Sequence, residues 1–277
     1  MARPPRPQFP DGVYHVSARG NERSPVYRDD GDRRRFIELL AHVRGRYRWR
    51  VFSYCLMTNH YHLLVQTPEP NVARGMRQLN GVYAQWFNRR HGRVGHLFQG
   101  RYGARLVQAD EHLLAAVRYI VRNPVRAGLC RAPEEWRWSS HRATLGREPP
   151  GFLDTAALLA HYGPTPAAAR ERYRAHCEQA DEREHPAHPL IDGDKAFIVA
   201  TLERIAPAPG VPRRYLQTPR PQLAHLLASP DLDAVAAAHA HGYSLREIAR
   251  HLDTHASTLS RRLRRHPSGS TAATNGT

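Results

Sequence analysis

The hydrophobic and polar positions of residues 10–145 alternate between a two-residue period, typical of strands, and a helical period of three to four residues. The two-residue period predicts these strands: Gly12–Arg19, Val51–Met57, Met57–Val65 and Leu97–Val107. The helical period predicts these helices: Asp32–Tyr47, Asn71–Asn88 and Asp110–Asn123. This order predicts an α+β fold, a ferredoxin-like βαββαβ antiparallel sheet followed by one added helix. We expect helices to cover one face of the sheet and the other face to be open.

The rest of the chain has helical patterns without strands. The first domain is predicted to span residues 1–150, and residues 153–161 and 165–180 predict short helices appended to it. Ala180–Asp194 has the composition of a linker, so residues 151–194 are expected to connect two domains. Residues 195–265 predict a small all-α domain, and the small, polar residues 266–277 predict a disordered tail.

The end of the all-α domain has the pattern of a helix-turn-helix. Ser244-Leu245-Arg246-Glu247 matches a capping box at the start of one helix, and a second helix is predicted from Ala256. A second helix of this kind can enter the major groove of duplex DNA. Its polar face carries the candidate DNA contacts Ser257, Thr258, Arg261 and Arg262. An ordinary basic helical hairpin would have the same apolar spacing.

The positive charge of the chain is concentrated in the predicted first domain. The net charge is +16 over 277 residues, and residues 1–150 carry 26 arginines against 12 acidic residues. A coding bias towards arginine would explain why Lys195 is the only lysine, but it would not explain the excess over acids. Arginine makes bidentate contacts with phosphate, so nucleic acid is the expected partner.

The cysteines and the N-terminus indicate a cellular location. Cys55, Cys130 and Cys177 are far apart and form no C-x-x-C pair, which argues against a disulfide framework and against a thiolate zinc site. No apolar run has the length of a signal peptide or a membrane span. We expect a cytoplasmic protein with no membrane partner.

Two short stretches contain the candidate chemistry. His60 and His62 are two residues apart on a predicted strand, so both imidazoles point to the same face. Tyr119 and Asn123 are one turn apart on the polar face of the added helix, although Pro124 is expected to end or kink that helix near Asn123. Taken singly, the histidines are as easily read as residues filling a half-buried face, and the tyrosine as a core residue.

Together, the two stretches resemble a known family. His60-Tyr61-His62 is similar to the HUH motif of single-tyrosine transposases, and the segment from Tyr119 to Leu129 resembles the tyrosine-bearing segment of the REP-associated tyrosine transposases. The resemblance covers about residues 10–145 and implies the fold of an HUH endonuclease. It also implies that His60, His62 and Asn123 hold a divalent metal ion, Mg²⁺ or Mn²⁺. Related insertion-sequence transposases have Gln at the position of Asn123.

The resemblance further implies a reaction and its substrate. Tyr119 would attack single-stranded DNA beside short palindromic hairpins of the REP type, leaving a 5′-phosphotyrosine and a free 3′-hydroxyl. Such a protein would be a nucleoid-associated bacterial transposase, acting as a monomer or homodimer. Within the basic domain, the candidate DNA contacts are Arg101, Tyr102, Arg105, Arg122 and Arg126, with Tyr102 expected to stack on a base.

Other functions fit the same residues. A non-catalytic regulator would bind hairpin DNA and use the helix-turn-helix for affinity. A metal-dependent hydrolytic nuclease would cut DNA with water and form no protein-linked product. A replication or conjugation initiator of the HUH class would share the chemistry but would have larger accessory domains.

Overall fold

The computed structural model describes residues 7–109, 111–180, 188–205, 223–229, 231–240 and 243–265. The chain divides into two compact units, residues 1–217 and 218–277. The predicted tail 266–277 lies outside the described residues. Within the described ranges, no helix is both long enough and apolar enough to cross a membrane.

The first unit is built on one five-stranded sheet. Its strands are β1 (Gly12–Arg19), β2 (Arg50–Leu56), β3 (His60–Thr67), β4 (Gly103–Val107) and β5 (Ile191–Asp192). The order across the sheet is β2-β3-β1-β4-β5, and all pairings except β4 with β5 are antiparallel. The first four strands have the ferredoxin-like order, which confirms the predicted fold, and β2 and β3 form an antiparallel hairpin.

The helices of the first unit pack on both faces of the sheet. They are α1 (Asp30–Tyr47), α2 (Val72–Arg90), α3 (Glu111–Arg126), α4 (His141–Thr144), α5 (Thr155–Leu159), α6 (Pro166–Glu178) and α7 (Lys195–Ile205). Residues of α1 and α2 share one buried cluster with Val16 and Leu63. Residues of α3, α5 and α6 share a second cluster with Leu64 and Val107. The expectation of an open second face was therefore wrong, because α3 and the appended helices bury much of it.

Two helix and strand boundaries differ from the prediction. α3 continues through Pro124 to Arg126 instead of ending near Asn123. The stretch predicted as one strand from Leu97 forms β4 only from Gly103, because Gly100 adopts a φ of +87° and interrupts the extended backbone.

Close packing of α2 against Trp49, which follows α1, depends on a glycine. A Cβ at Gly75 of α2 would lie 2.1 Å from a ring carbon of the buried Trp49, whereas a Cβ at Gly81 of the same helix would meet nothing within 4 Å. Gly75 therefore makes room for the indole, which also donates to Asn71 Oδ1 over 2.7 Å.

The predicted linker contributes to the first unit. Ile191 and Asp192 add β5 alongside Leu106 and Val107 of β4, and α7 packs on Ile191 through Ile198, Leu202 and Ile205. The predicted domain boundary at residue 195 therefore differs from the division after residue 217, because α7 buries its apolar face in the first unit.

The second unit is a small helical cluster. Its described helices are α8 (Leu223–Leu226), α9 (Leu232–Ala240), α10 (Leu245–His251) and α11 (Ala256–Arg265). The predicted capping box is present: Ser244 N–H donates to Glu247 Oε2 over 2.7 Å, and Glu247 N–H donates to Ser244 Oγ over 3.2 Å. Val235, Ile248 and Leu259 are buried together, so α9, α10 and α11 share one core.

Candidate active site

Three histidines meet on the sheet face that α3 crosses. His60 and His62 lie on β3, and the antiparallel register sets Arg19 of β1 opposite His60 and Ser17 opposite His62. His15 is two residues before Ser17, so it faces the same side. Its Nε2 lies 2.9 Å from Nδ1 of His62, and both side chains are buried. The sequence-based prediction missed His15, although its alternation with Ser17 and Arg19 was a usable signal.

His60 is held from the turn that precedes β3. Its Nδ1 lies 2.7 Å from the side-chain oxygen of Asn59, and the Asn59 amide nitrogen donates to the carbonyl of Arg23 over 2.8 Å. The rings of His60 and His62 are 5.2 Å apart and nearly perpendicular. The two imidazoles are thus fixed by different neighbours while facing a common space.

Helix α3 brings Tyr119 and Asn123 to the histidines. The Tyr119 ring centroid lies 5.6 Å from the rings of both His15 and His62. Asn123 is buried, its side chain raises the pKa of His60, and its amide N–H donates to the Tyr119 carbonyl over 3.0 Å. Because α3 stays helical through Pro124, the predicted one-turn spacing of Tyr119 and Asn123 is present.

An arginine lies against the tyrosine. The Arg126 guanidinium carbon is 4.5 Å from the centroid of the Tyr119 ring, on the same helix. A cation over an aromatic face is attracted by the ring quadrupole, by about 0.5–1 kcal/mol at exposed sites. Tyr119 itself is half-buried, so its ring is held on two sides while part of it remains accessible.

Burial keeps the two β3 histidines neutral. It lowers the pKa of His60 to about 4, with a further decrease from Arg19 and an opposing contribution from the Asn123 hydrogen bond. Burial also lowers the pKa of His62 well below its usual value, assisted by His15, His60 and nearby arginines. A neutral imidazole has one nitrogen lone pair, which metal coordination requires.

A basic pocket opens beside the histidines. It has a volume of about 240 Å³ and is lined by His60 and His62 together with Arg19, Gln99 and Arg101. Arg19 and Arg101 are both exposed. The pocket therefore combines two cationic side chains with the imidazole pair, which suits an anionic ligand such as a phosphate. Arg19 was not among the predicted contacts.

The donor set fits a hard divalent cation with open positions. Among the described residues, no three His, Cys, Asp or Glu side chains are grouped to hold a metal ion, and the Asn123 amide offers a further oxygen donor beside His60. The Asn123 side chain raises the His60 pKa, because a protonated ring can donate to its amide oxygen. Two imidazoles and an amide oxygen leave further coordination positions for water or phosphate.

The other predicted contacts of the basic domain are dispersed. Arg105 is half-buried and lies opposite His15 in the sheet register. Tyr102 is buried in the α1–α2 core because its side chain points to the other face, so it is not placed to stack on a base. Arg122 donates to the carbonyls of Cys177 and Glu178 over 3.0 and 2.9 Å, so its guanidinium is engaged at the end of α6.

The predicted contacts of the second unit lie on α11. Ser257, Arg261 and Arg262 are exposed and Thr258 is half-buried, whereas Leu259 points into the core. This distribution gives α11 one apolar face and one basic, hydroxyl-bearing face, as a groove-binding helix requires.

Comparisons with known proteins identify similarities for both units. Residues 9–123 match the family described as "Transposase IS200 like", and residues 231–266 match a helix-turn-helix domain. A Haemophilus influenzae protein named as a REP-associated tyrosine transposase is 29% identical over 108 residues, which are 35% of this chain and 61% of that protein. The chain therefore spans less than two thirds of that relative.

One solved structure is also similar. It is described as a REP-associated tyrosine transposase bound to a REP hairpin, with a TM-score of 0.46 and 17% identity. The similarity covers 56% of this chain and 90% of that one.

Proposed function

Since residues 9–123 match the family described as "Transposase IS200 like", we propose that the chain cleaves and rejoins single-stranded DNA through Tyr119. The observation that carries this proposal is the distance of 5.6 Å from the Tyr119 ring to each of the buried histidine rings His15 and His62. A half-buried phenol from a late helix and two buried imidazoles from the sheet thus meet at one site.

His60, His62 and Asn123 are the proposed ligands of Mg²⁺ or Mn²⁺. A divalent cation bound there would stabilise negative charge on a scissile phosphate and favour the phenolate. His60 and His62 contribute neutral nitrogens, and Asn123 contributes its amide oxygen while its amide nitrogen is engaged by the Tyr119 carbonyl. Asn123 thereby links the metal ligands to the helix turn that carries the nucleophile.

The proposed reaction exchanges one phosphate ester for another. The Tyr119 phenol oxygen bonds to phosphorus, and the bond from phosphorus to the 3′ oxygen breaks. The phosphate remains on Tyr119 as a 5′-phosphotyrosine, and the released 3′ oxygen takes up the proton that the phenol loses. No external energy source is needed for rejoining, because a 3′-hydroxyl can reverse the exchange.

The proposed substrate is a single strand beside a REP-like hairpin. The curated relative is named for its association with REP elements, and a pocket lined by Arg19 and Arg101 suits the phosphate backbone. Arg105 and Arg126 lie near the same histidines and tyrosine and are further candidates for backbone contacts. The exposed residues of α11, including Arg261 and Arg262, are proposed to bind duplex DNA.

The test is formation of a protein–DNA adduct. Labelled single-stranded hairpin oligonucleotides are incubated with the protein and Mg²⁺ or Mn²⁺ and analysed on denaturing gels. We expect an adduct with the wild type and none with Tyr119→Phe. Tyr47→Phe is the matched control, because Tyr47 is also half-buried and also has an arginine, Arg46, over its ring at 5.8 Å.

The same gels separate the alternatives. Cut DNA without an adduct would indicate a hydrolytic nuclease. Hairpin binding that survives Tyr119→Phe, with neither cutting nor adduct in the wild type, would indicate a non-catalytic regulator.

A further inference from the structure

We infer that Asn59 and His15 are positioning residues that hold His60 and His62 in the tautomer protonated on Nδ1. Both histidines would then present an Nε2 lone pair to a metal ion. This inference rests on the proposed function for the identity of the ligands. It adds two residues that touch neither metal nor DNA and act through the ligands.

The Asn59 side chain determines the tautomer of His60. Its amide nitrogen donates to the Arg23 carbonyl over 2.8 Å, and a carbonyl can only accept, so the orientation of the amide is fixed. The side-chain oxygen, which also only accepts, then lies 2.7 Å from His60 Nδ1. Nδ1 must therefore carry the hydrogen, which leaves Nε2 of the neutral ring as the lone-pair nitrogen.

The contact with Asn123 agrees with this assignment. Nδ1 of His60 is occupied by Asn59, which leaves Nε2 as the nitrogen available to the Asn123 side chain. The Asn123 side-chain N–H donates to the Tyr119 carbonyl. The side-chain oxygen of Asn123 is therefore the atom left to face His60. With hydrogen on Nδ1, the Nε2 lone pair of His60 and the oxygen of Asn123 would both be lone-pair donors, and a cation between them would stabilise the pair.

His15 performs the same task for His62. Its Nε2 is 2.9 Å from His62 Nδ1 in a buried contact, so one of these nitrogens donates and the other accepts. If His62 Nδ1 donates, its Nε2 is free to coordinate; if His15 Nε2 donates, neutral His62 carries its hydrogen on Nε2 and cannot. Metal binding therefore selects His15 as the acceptor. Metal-bound histidines commonly donate their second nitrogen to a neighbour that orients the ring.

The β1–β3 register makes this arrangement possible. Asn59 is anchored twice to the loop that follows β1. Its side chain donates to the Arg23 carbonyl, and its own carbonyl accepts from Gly20 N–H over 2.8 Å. Arg23, whose carbonyl orients the amide, has a φ of +58°, so this loop is bent at a defined point. His15 and the two anchors of Asn59 thus come from β1 or from the residues that immediately follow it.

Metal affinity and ring tautomer are the two readouts. Mn²⁺ binding to the full chain without DNA is measured by titration calorimetry, and tautomers are read from two-bond proton–nitrogen correlations of the metal-free protein. We expect Asn59→Ala and His15→Phe to weaken Mn²⁺ binding by about 10- to 100-fold. His15→Gln, which retains an acceptor, should recover part of the affinity. His60 should show hydrogen on Nδ1 in the wild type.

Matched controls remove equivalent groups elsewhere. Asn88→Ala deletes another amide that donates to a backbone carbonyl, that of Gly95 at 2.9 Å. His141→Phe deletes another buried histidine, which is 2.9 Å from the Tyr173 hydroxyl. Both controls should bind Mn²⁺ as the wild type does.

The outcomes separate this inference from the proposed function. Wild-type Mn²⁺ affinity in both Asn59→Ala and His15→Phe, or hydrogen on Nε2 of His60, would overturn the inference even if the adduct forms. Absence of Mn²⁺ binding by the wild type, together with absence of the Tyr119 adduct, would overturn the proposed function and the metal-directed role of both residues.

Discussion

The two pocket arginines give a quantitative prediction for DNA binding. Arg19 and Arg101 both line the pocket beside His60 and His62, so each is expected to neutralise one backbone phosphate of a bound single strand. Each neutralised phosphate contributes a slope of about −0.7 to the logarithm of affinity against the logarithm of salt concentration. The double variant Arg19→Gln/Arg101→Gln should therefore have a slope shallower by about 1.4.

The size of this change is easily measured. Between about 50 mM and about 200 mM salt, a slope difference of about 1.4 means that the wild type loses about sevenfold more affinity than the double variant. Fluorescence anisotropy with a labelled single-stranded hairpin oligonucleotide, recorded over this range without divalent metal, gives both slopes directly.

Arg122→Gln is the control for this experiment. Arg122 has the sequence features of a phosphate contact, but its guanidinium donates to two carbonyls at the end of α6. Its replacement should leave the salt slope unchanged and lower the free energy of unfolding by about 1–2 kcal/mol. An unchanged slope in the Arg19/Arg101 double variant, or a shallower slope in Arg122→Gln, would refute this reasoning.

Further predictions concern stability and the nucleophile. Gly75→Ala should destabilise the protein by about 1–3 kcal/mol, since its Cβ would lie 2.1 Å from a buried indole, whereas Gly81→Ala should stabilise it by about 0.5–1 kcal/mol; urea denaturation of both variants tests this. Burial, with smaller contributions from two arginines, lowers the pKa of His141 to about 4. His141 therefore binds a proton in the unfolded chain at a higher pH than in the folded protein. The free energy of unfolding should fall by about 3 kcal/mol as pH decreases from about 6.5 to about 4. His141→Phe should show a shallower pH dependence in the same denaturation assay, and an identical one would contradict the assignment. Arg126→Leu should slow formation of the Tyr119 adduct by about two- to fivefold, with unchanged rates counting against a role for the stacked cation.

Features fixed by local periodicity were predictable from the sequence. The strand period set His60 and His62 on one face, and the helical period set Tyr119 and Asn123 one turn apart. The capping box at Ser244 was equally local, because its two hydrogen bonds join residues three positions apart. Each of these depends on a few neighbouring residues and on regular backbone geometry.

Features set by long-range pairing were not predictable in the same way. His15 meets His62 only because of the register between β1 and β3, which depends on the whole buried face. Tyr102 was misjudged because its face depends on where β4 begins after Gly100. Pro124 was expected to break its helix, but it is buried in a helix whose apolar face is anchored along its length.

The late strand β5 has a practical consequence for work on this protein. It covers the outer edge of β4, and the helix after it continues the same apolar cluster with Phe9, over which the Arg204 guanidinium lies at 4.1 Å. A shortened polypeptide that stops at residue 123, where the family match ends, would leave that edge unpaired and the apolar surface of α3 without α5 and α6. Open edges recruit other strands. Self-association of such a fragment would then reflect the missing partners and not the native assembly state, so shortened versions should extend at least through Ile205.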